Sequence, residues 1–202
     1  IWVAKKRYMM NVFDEEGIRF DTPKLKIMGV EAVKSSTPEV CRGKIKEAIR
    51  MIMNKSEEDL IKFVNDFKEV FKKLSPEEVA FPRSCNNLNK YSDSSSIYKK
   101  GTPIHVKGGL IYNHYIYRNK LQMKYPLIKD GDKIKFLMLK QPNTIKDTVI
   151  SFSTRIPEEF NLHKYVDYDT QFEKTFTDPL KFILDSIGWK LEREASLESF
   201  FE

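Results

Sequence analysis

Between Thr37 and Leu74 the apolar residues recur twice at helical spacing, with only Asn54-Lys55-Ser56 between the two runs, and this pattern restricts the fold more than any other stretch of the chain. Cys41, Ile45, Ala48, Ile49 and Ile52 fall on one face of a first helix; Leu60, Val64, Phe67, Phe71 and Leu74 fall on one face of a second. Thr37-Pro38-Glu39 is a start signal, with Thr37 as N-cap and Pro38 at the first helical position. Ser56 caps the second helix and places Glu57, Glu58 and Asp59 in its electropositive first turn. So short a joint makes the pair antiparallel, and each apolar face must be covered by the other helix or by a shared core. The chain can supply that core: 202 residues, 41 % hydrophobic and 32 % charged, suit one large or two small soluble domains.

Around this pair the remaining pattern is mixed. Residues 3–28 read as a β-hairpin turning at Asp14-Glu15-Glu16-Gly17, with Pro23 implying an edge or a bulge in the return strand. The polar stretch from Phe81 to Gly101 reads as a long surface loop. Thr102-Pro103 opens a third helix reaching Arg118, in which Gly108-Gly109 allows close backbone approach to a neighbour. Lys133 to Lys140 and Val149 to Ser153 read as strands of a small β-subdomain, separated by the Gln141-Pro142-Asn143-Thr144 turn. Helical pattern resumes at Asp167, breaks at Asp178-Pro179, and continues through Leu180, Ile183, Leu184 and Ile187 to Gly188. The expected class is α+β.

No run of eighteen apolar residues and no charged-then-apolar leader occurs in the sequence, so an intracellular protein without a membrane span is expected. Cys41 and Cys85 stand far apart without CxxC spacing or adjacent histidines, which argues for packing roles over a disulfide or zinc. The net charge of +6 hides an asymmetry. Ile1 to Arg50 holds 11 basic and 7 acidic residues, Pro82 to Tyr125 holds 8 basic against the single acid Asp93, and Ile156 to Glu202 holds 5 basic against 11 acidic. Such a split fits a body that meets a polyanion with its first two-thirds, although a basic surface is also simply a soluble one.

Three clusters carry that chemistry. Lys5, Lys6, Arg7 and Tyr8 sit on what reads as a strand, with Lys6 and Tyr8 on one face and Lys5 and Arg7 on the other. They suit either a phosphate backbone and groove or a lysine-guarded edge strand. Lys34, Ser35 and Ser36 precede a helix start, where free N–H groups and hydroxyls attract an anion. Asn86, Asn87, Lys90 and Tyr91, with Arg83, Lys99, Lys100, His105 and Lys107 nearby in sequence, combine amides, cations and an aromatic suited to sequence-independent backbone contact. Asp130-Gly131-Asp132 reads as turn chemistry and Asp167-Tyr168-Asp169 as a helix cap, so no metal site and no catalytic residue is assigned. His105, His114 and His163 lack ligand spacing.

At matching spacing, the block Lys5-Lys6-Arg7-Tyr8, Asn11-Val12, Pro23-Lys24-Leu25-Lys26-Ile27-Met28-Gly29, Glu31 and Lys34-Ser35-Ser36-Thr37-Pro38 resembles family B DNA polymerases of the T-even bacteriophage type. The likeness continues at Asn86-Asn87, Lys90-Tyr91, His105, Tyr112-Asn113, Asp167-Tyr168, Glu173-Lys174-Thr175-Phe176 and Ala195-Ser196-Leu197. It implies a C-terminal fragment: a palm hairpin at 1–28, a helical thumb base with a small β-subdomain at 29–190, and a clamp-binding tail at 191–202. The absence of a starting methionine agrees with that expectation. The resemblance further implies that Lys6 reads the minor groove of a primer–template duplex while the other named residues hold its backbone. It implies that Leu197, Phe200 and Phe201 engage a sliding clamp, and that the parent enzyme uses two Mg2+ ions held upstream, leaving this fragment without a cofactor and inactive alone. The partners implied are the duplex, the clamp and the upstream palm domain, in the cytoplasm of an infected bacterial host. Two other readings compete: a stand-alone, non-enzymatic nucleic-acid-binding accessory protein, and a protein-interaction module with an incidental basic face.

Overall fold

The structure, a computed structural model, describes residues 1–191 and is an α+β fold. Strands β1 (Trp2–Ala4), β2 (Arg7–Glu15) and β3 (Ile18–Met28) form an antiparallel sheet in sequential order. The hairpin expected at the start is thus three strands rather than two. Lys5 and Lys6 lie in the turn between β1 and β2 rather than on a strand, and Lys6 has φ of 62°. Because Ala4 pairs with Arg7, only two residues remain to reverse the chain, and such a turn demands left-handed backbone. The expected alternation of Lys5, Lys6, Arg7 and Tyr8 across two faces is therefore corrected. The second turn is as expected, with Asp14 Oδ1 accepting from the Gly17 N–H at 3.1 Å. The ladder slips between Val12 and Asp14, a bulge opposite the stretch that holds Pro23.

Helices α1 (Glu39–Asn54) and α2 (Glu57–Phe71) bury the expected faces: Cys41, Ile45, Ala48, Ile49 and Ile52 on one, Leu60, Val64, Phe67 and Phe71 on the other. Leu74 falls beyond the end of α2 and is half-buried. Ser56 caps α2 as read from sequence, accepting from the Asp59 N–H while the Asp59 carboxylate accepts in return. At α1 the cap position belongs to Pro38, still extended at ψ of 142°, so Thr37 is not the cap. Thr37 is buried and donates its N–H to the Lys34 carbonyl.

The segment from Phe81 to Gly101 is not a long surface loop. After α3 (Pro76–Val79), strand β4 (Phe81–Ser84) begins a second sheet, α4 (Leu88–Tyr91) follows, and β5 (Ser92–Asp93) and β6 (Ile97–Tyr98) make a small hairpin. Asn and Ser mark the turns correctly, but Cys85 and Leu88 are buried and anchor the segment. The Asp130 carboxylate accepts from the N–H groups of Asn87 and Leu88, a cap that comes from some forty residues along the chain.

Helix α5 (Ile104–Arg118) lies on the sheet formed by β4, β7 (Lys133–Met138) and β8 (Val149–Phe152), in the antiparallel order β4-β7-β8. Gly108 makes this contact: a Cβ there would stand 2.5 Å from Ser151 Oγ and 2.7 Å from its backbone nitrogen. Ser151 Oγ donates to the His105 carbonyl at 2.7 Å, which pins the helix to β8.

Asp167 caps α6 (Tyr168–Phe172), as read. The helix does not break at Asp178-Pro179; it widens into a π-helical turn at Glu173–Thr177 and runs on as α7 (Asp178–Asp185). A proline at the start of α7 cannot donate to the preceding turn, and within the widened turn the Thr175 hydroxyl donates to the Gln171 carbonyl at 2.7 Å. Gly188, at φ of 75°, ends the helical run. Phe67, Phe71, Phe172 and Phe176 join α2 to this helix with ring centroids 4.8 to 5.9 Å apart. Gln171, fully buried, donates to the Val79 carbonyl and accepts from the Met138 N–H, tying the helices to the second sheet.

Gly108 and Gly43 are expected to respond oppositely to alanine. Gly108→Ala forces α5 off β8 and costs about 1–3 kcal/mol in urea unfolding. Gly43→Ala, on α1 with nothing within 4 Å of the added methyl, gains about 0.5–1 kcal/mol. Equal effects at the two positions would contradict the close helix–strand contact.

Candidate nucleic-acid interface

The β1–β2 turn is positioned by the end of β3. Gly29, at φ of 68°, passes so close beneath it that a side chain would overlap the Lys6 carbonyl. The chain then delivers Glu31, whose Oε1 accepts from Lys34 Nζ at 2.6 Å and lies 3.7 Å from Arg7 Nη2. One carboxylate thus gathers the basic turn and the segment before α1. The Tyr8 ring stacks on Trp2 at 5.1 Å. Next along, the Ser36 carbonyl accepts from Arg83 Nη1 at 2.8 Å, and the guanidinium lies over the rings of Phe81 and Phe136. His105 stands beside it: burial, and then the Arg83 charge, hold its imidazole below the ordinary range, so it is neutral at pH 7. These contacts connect Arg7, Lys34, Ser36 and His105 through Glu31 and Arg83, with Lys6 beside them over Gly29.

A second group forms on α4, the β5–β6 hairpin and α5. Asn87 sits in left-handed backbone at the start of α4, and exposed Lys90 places its ammonium 5.4 Å from the half-buried Tyr91 ring. Lys99 Nζ donates to the Lys90 carbonyl at 2.8 Å. Lys107 is held internally, 2.8 Å from Asp147 Oδ1 and 4.7 Å over the Tyr98 ring. By contrast Lys5, Lys6 and Lys100 are exposed and have no ion-pair partner among the described residues. Asn86 is exposed as well. Exposed Ser35 lies at the lip of a cleft of about 610 Å³ shared with Arg42 and Lys135, but Glu39, Glu77 and Glu78 line it too, so the cleft does not favour an anion.

Sequence reasoning left Glu31 and Asp147 out of the site and named Arg83 only as a cation near the Asn86-to-Tyr91 segment. Each acts through a partner brought near by folding, as in the 47-residue separation of Arg83 from Ser36.

The remaining chemistry is structural. Among the described residues no group of three or more His, Cys, Asp and Glu could hold a metal ion. Asp132 accepts from the Lys129 N–H as turn chemistry, and Asp169 pairs with Lys68 and Lys72. Burial pushes the thiols of Cys41 and Cys85 up to about 11, so both stay protonated packing groups. Leu197, Phe200 and Phe201 lie outside the described residues. No helix among those residues is long and apolar enough to cross a membrane. What the arrangement offers is a set of cations, hydroxyls and amides on a fixed frame, suited to hold a phosphate backbone.

No protein-family model matches the chain. Among curated proteins it is 33 % identical over 204 residues to the DNA-directed DNA polymerase of Enterobacteria phage T4, and 35 % identical over 206 residues to that of Escherichia phage RB69. These alignments take in 99 % and 100 % of the chain and 22 % of each relative. The chain is thus related, over its whole length, to a segment of phage DNA-directed DNA polymerases, and it spans about a fifth of the length of those relatives.

The half-buried imidazole of His105 gives a pH dependence with a definite sign. His105 binds its proton less readily folded than unfolded, so stability is fully present above its ordinary 6.5 and declines as pH falls below that value. Glu159, held down to about 2 chiefly by its hydrogen bond from Lys124, acts only below its own ordinary 4.5. Unfolding free energy measured from pH 7.5 to 5 is expected to fall, and His105→Gln to flatten that fall.

Proposed function

We propose that this chain is the thumb region, with the last palm strands attached, of a phage-type replicative DNA polymerase of family B, and that it grips the primer–template duplex. In this reading residues 1–28 belong to the palm, 29–190 form the thumb and 191–202 tether the enzyme to its sliding clamp through Leu197, Phe200 and Phe201. The observation that carries it is the convergence of Arg7, Lys34 and Ser36 on Glu31 and Arg83, next to the basic β1–β2 turn. It joins residues that are distant in sequence, in a chain related throughout to phage polymerases. Lys6, at the tip of its turn and without an ion pair, is suited to enter the minor groove, where acceptors common to all base pairs permit contact without sequence preference. Lys5, Arg7, Tyr8, Lys34 and the Asn86-to-Tyr91 segment then hold the backbone.

An upstream palm partner is supported by the first sheet. Trp2, Met10 and Met28 are 67 %, 38 % and 45 % exposed. The register, with Trp2 opposite Tyr8 and Tyr8 opposite Met28, puts all of them on one face. An uncovered apolar face of this kind suits a neighbouring domain. DNA polymerisation, with two Mg2+ ions, would belong to the parent protein, in the host cytoplasm; no residue described here fits such a metal pair. The stand-alone accessory protein is the second reading, and the uncovered sheet face favours the fragment over it.

Binding to a primer–template duplex across a salt series tests the grip. Affinity on the order of 10⁻⁴–10⁻⁶ M at physiological salt is expected, falling steeply with salt. Replacing Lys6, Lys34 and Lys90 by alanine should weaken binding and reduce the slope by about 0.9 per lost phosphate contact. Unchanged affinity and slope in the triple variant would overturn the assignment.

A further inference from the structure

Asp147, in the loop between β7 and β8, is only 8 % exposed, yet three donors converge on its carboxylate. The Tyr98 hydroxyl reaches Oδ2 at 2.7 Å, and the Lys107 ammonium and the Thr148 N–H reach Oδ1 at 2.8 and 2.6 Å. The loop presenting this carboxylate is itself braced. Asn143 donates to the carbonyls of Lys140 and Asp147 and accepts from the Ile145 N–H. Buried polar groups satisfied this fully hold one geometry.

The receiving side is the opposite kind of structure. Strands β5 and β6 have two residues each, too few for a hairpin to keep its own place. Tyr98 is the last residue of β6, and Lys99 and Lys100 follow it directly. Lys99 is joined to α4 by two bonds, its N–H to the Tyr91 carbonyl and its ammonium to the Lys90 carbonyl. The position of Lys99 and Lys100 therefore depends on Tyr98, and that of Tyr98 on Asp147 and Lys107, whereas Lys90 is held on α4 by buried Leu88 and the Asp130 cap. Lysines on an unanchored hairpin would have to be ordered on each binding event, at a cost in affinity.

We infer that Asp147 is a positioning residue: with Lys107 and Tyr98 it clasps the β5–β6 hairpin to α5 and so sets where Lys99 and Lys100 meet a nucleic-acid backbone. The identity of the partner rests on the duplex reading above; the clasp does not. Lys107 acts from within the protein, as the cation that completes the clasp.

The test uses the whole chain with Tyr98→Phe, which keeps the ring under Lys107 but loses the hydroxyl, and Asp147→Asn, which keeps the shape but loses the charge. Each should speed amide hydrogen exchange at residues 92–100 by about tenfold while α1 and α2 exchange as before. Each should weaken duplex binding about three- to tenfold, and add nothing in a chain already carrying Lys99→Ala and Lys100→Ala. Unchanged exchange at 92–100 overturns the clasp. Full additivity with the lysine substitutions overturns the positioning role, because the clasp would then act elsewhere. Duplex binding indifferent to these two lysines overturns the duplex reading of this hairpin, and the exchange data separate that failure from failure of the clasp.

Discussion

Helix α5 rests on β8 at backbone distance because residue 108 has no side chain, and the basic surface is arranged around that contact. The seat fixes the height and rotation of α5, with the hydrogen bond from Ser151 to the His105 carbonyl locking it along the strand. From there His105 meets Arg83 on β4, and Lys107, one half-turn on, meets Asp147 beyond β7. A methyl group at 108 would displace both connections together. The interface is therefore a property of the packed core as much as of the surface lysines.

Its cations divide by what they touch. Arg7, Lys34, Arg83 and Lys107 are engaged by carboxylates or carbonyls of the protein, while Lys5, Lys6 and Lys100 stand in solvent. Glu31 and Asp147 offset half the charge of the engaged set, which holds the frame still. In the proposed grip the solvent-facing set would supply the charge that releases counterions from a polyanion. Exposed ion pairs such as Lys34 with Glu31 are individually worth little. Their effect here is to place a loop, and a phosphate arriving near Lys34 would compete with Glu31 for the same ammonium.

Periodicity exposed the helices well, because α1 and α2 bury a continuous apolar stripe and Ser56 carries its cap signal locally. The glycine pair of α5 was legible for the same reason: two glycines within a helix need a neighbour to justify them. Failure came wherever a partner distant in sequence decides. The Lys5-Lys6 turn looks like a strand until Ala4 pairs with Arg7, and the segment after Phe81 looks like a loop until β7 pairs with β4 and Asp130 caps α4. The proline at 179 marked a real irregularity, but the helix absorbed it as a wider turn. At the site, the lysine and asparagine clusters and Arg83 were visible as composition, whereas the contacts that join them through Arg83, Glu31 and Asp147 were not.

Titration of the isotope-labelled chain with a short primer–template duplex, followed by backbone amide chemical shifts, tests the central claim most directly. The account predicts that perturbations fall on residues 5–8, 34–36 and 86–100 together, at one affinity, and spare Asp178–Asp185 on the acidic side. Perturbations confined to one of the three segments, or centred on α7, would contradict a single basic surface formed by folding.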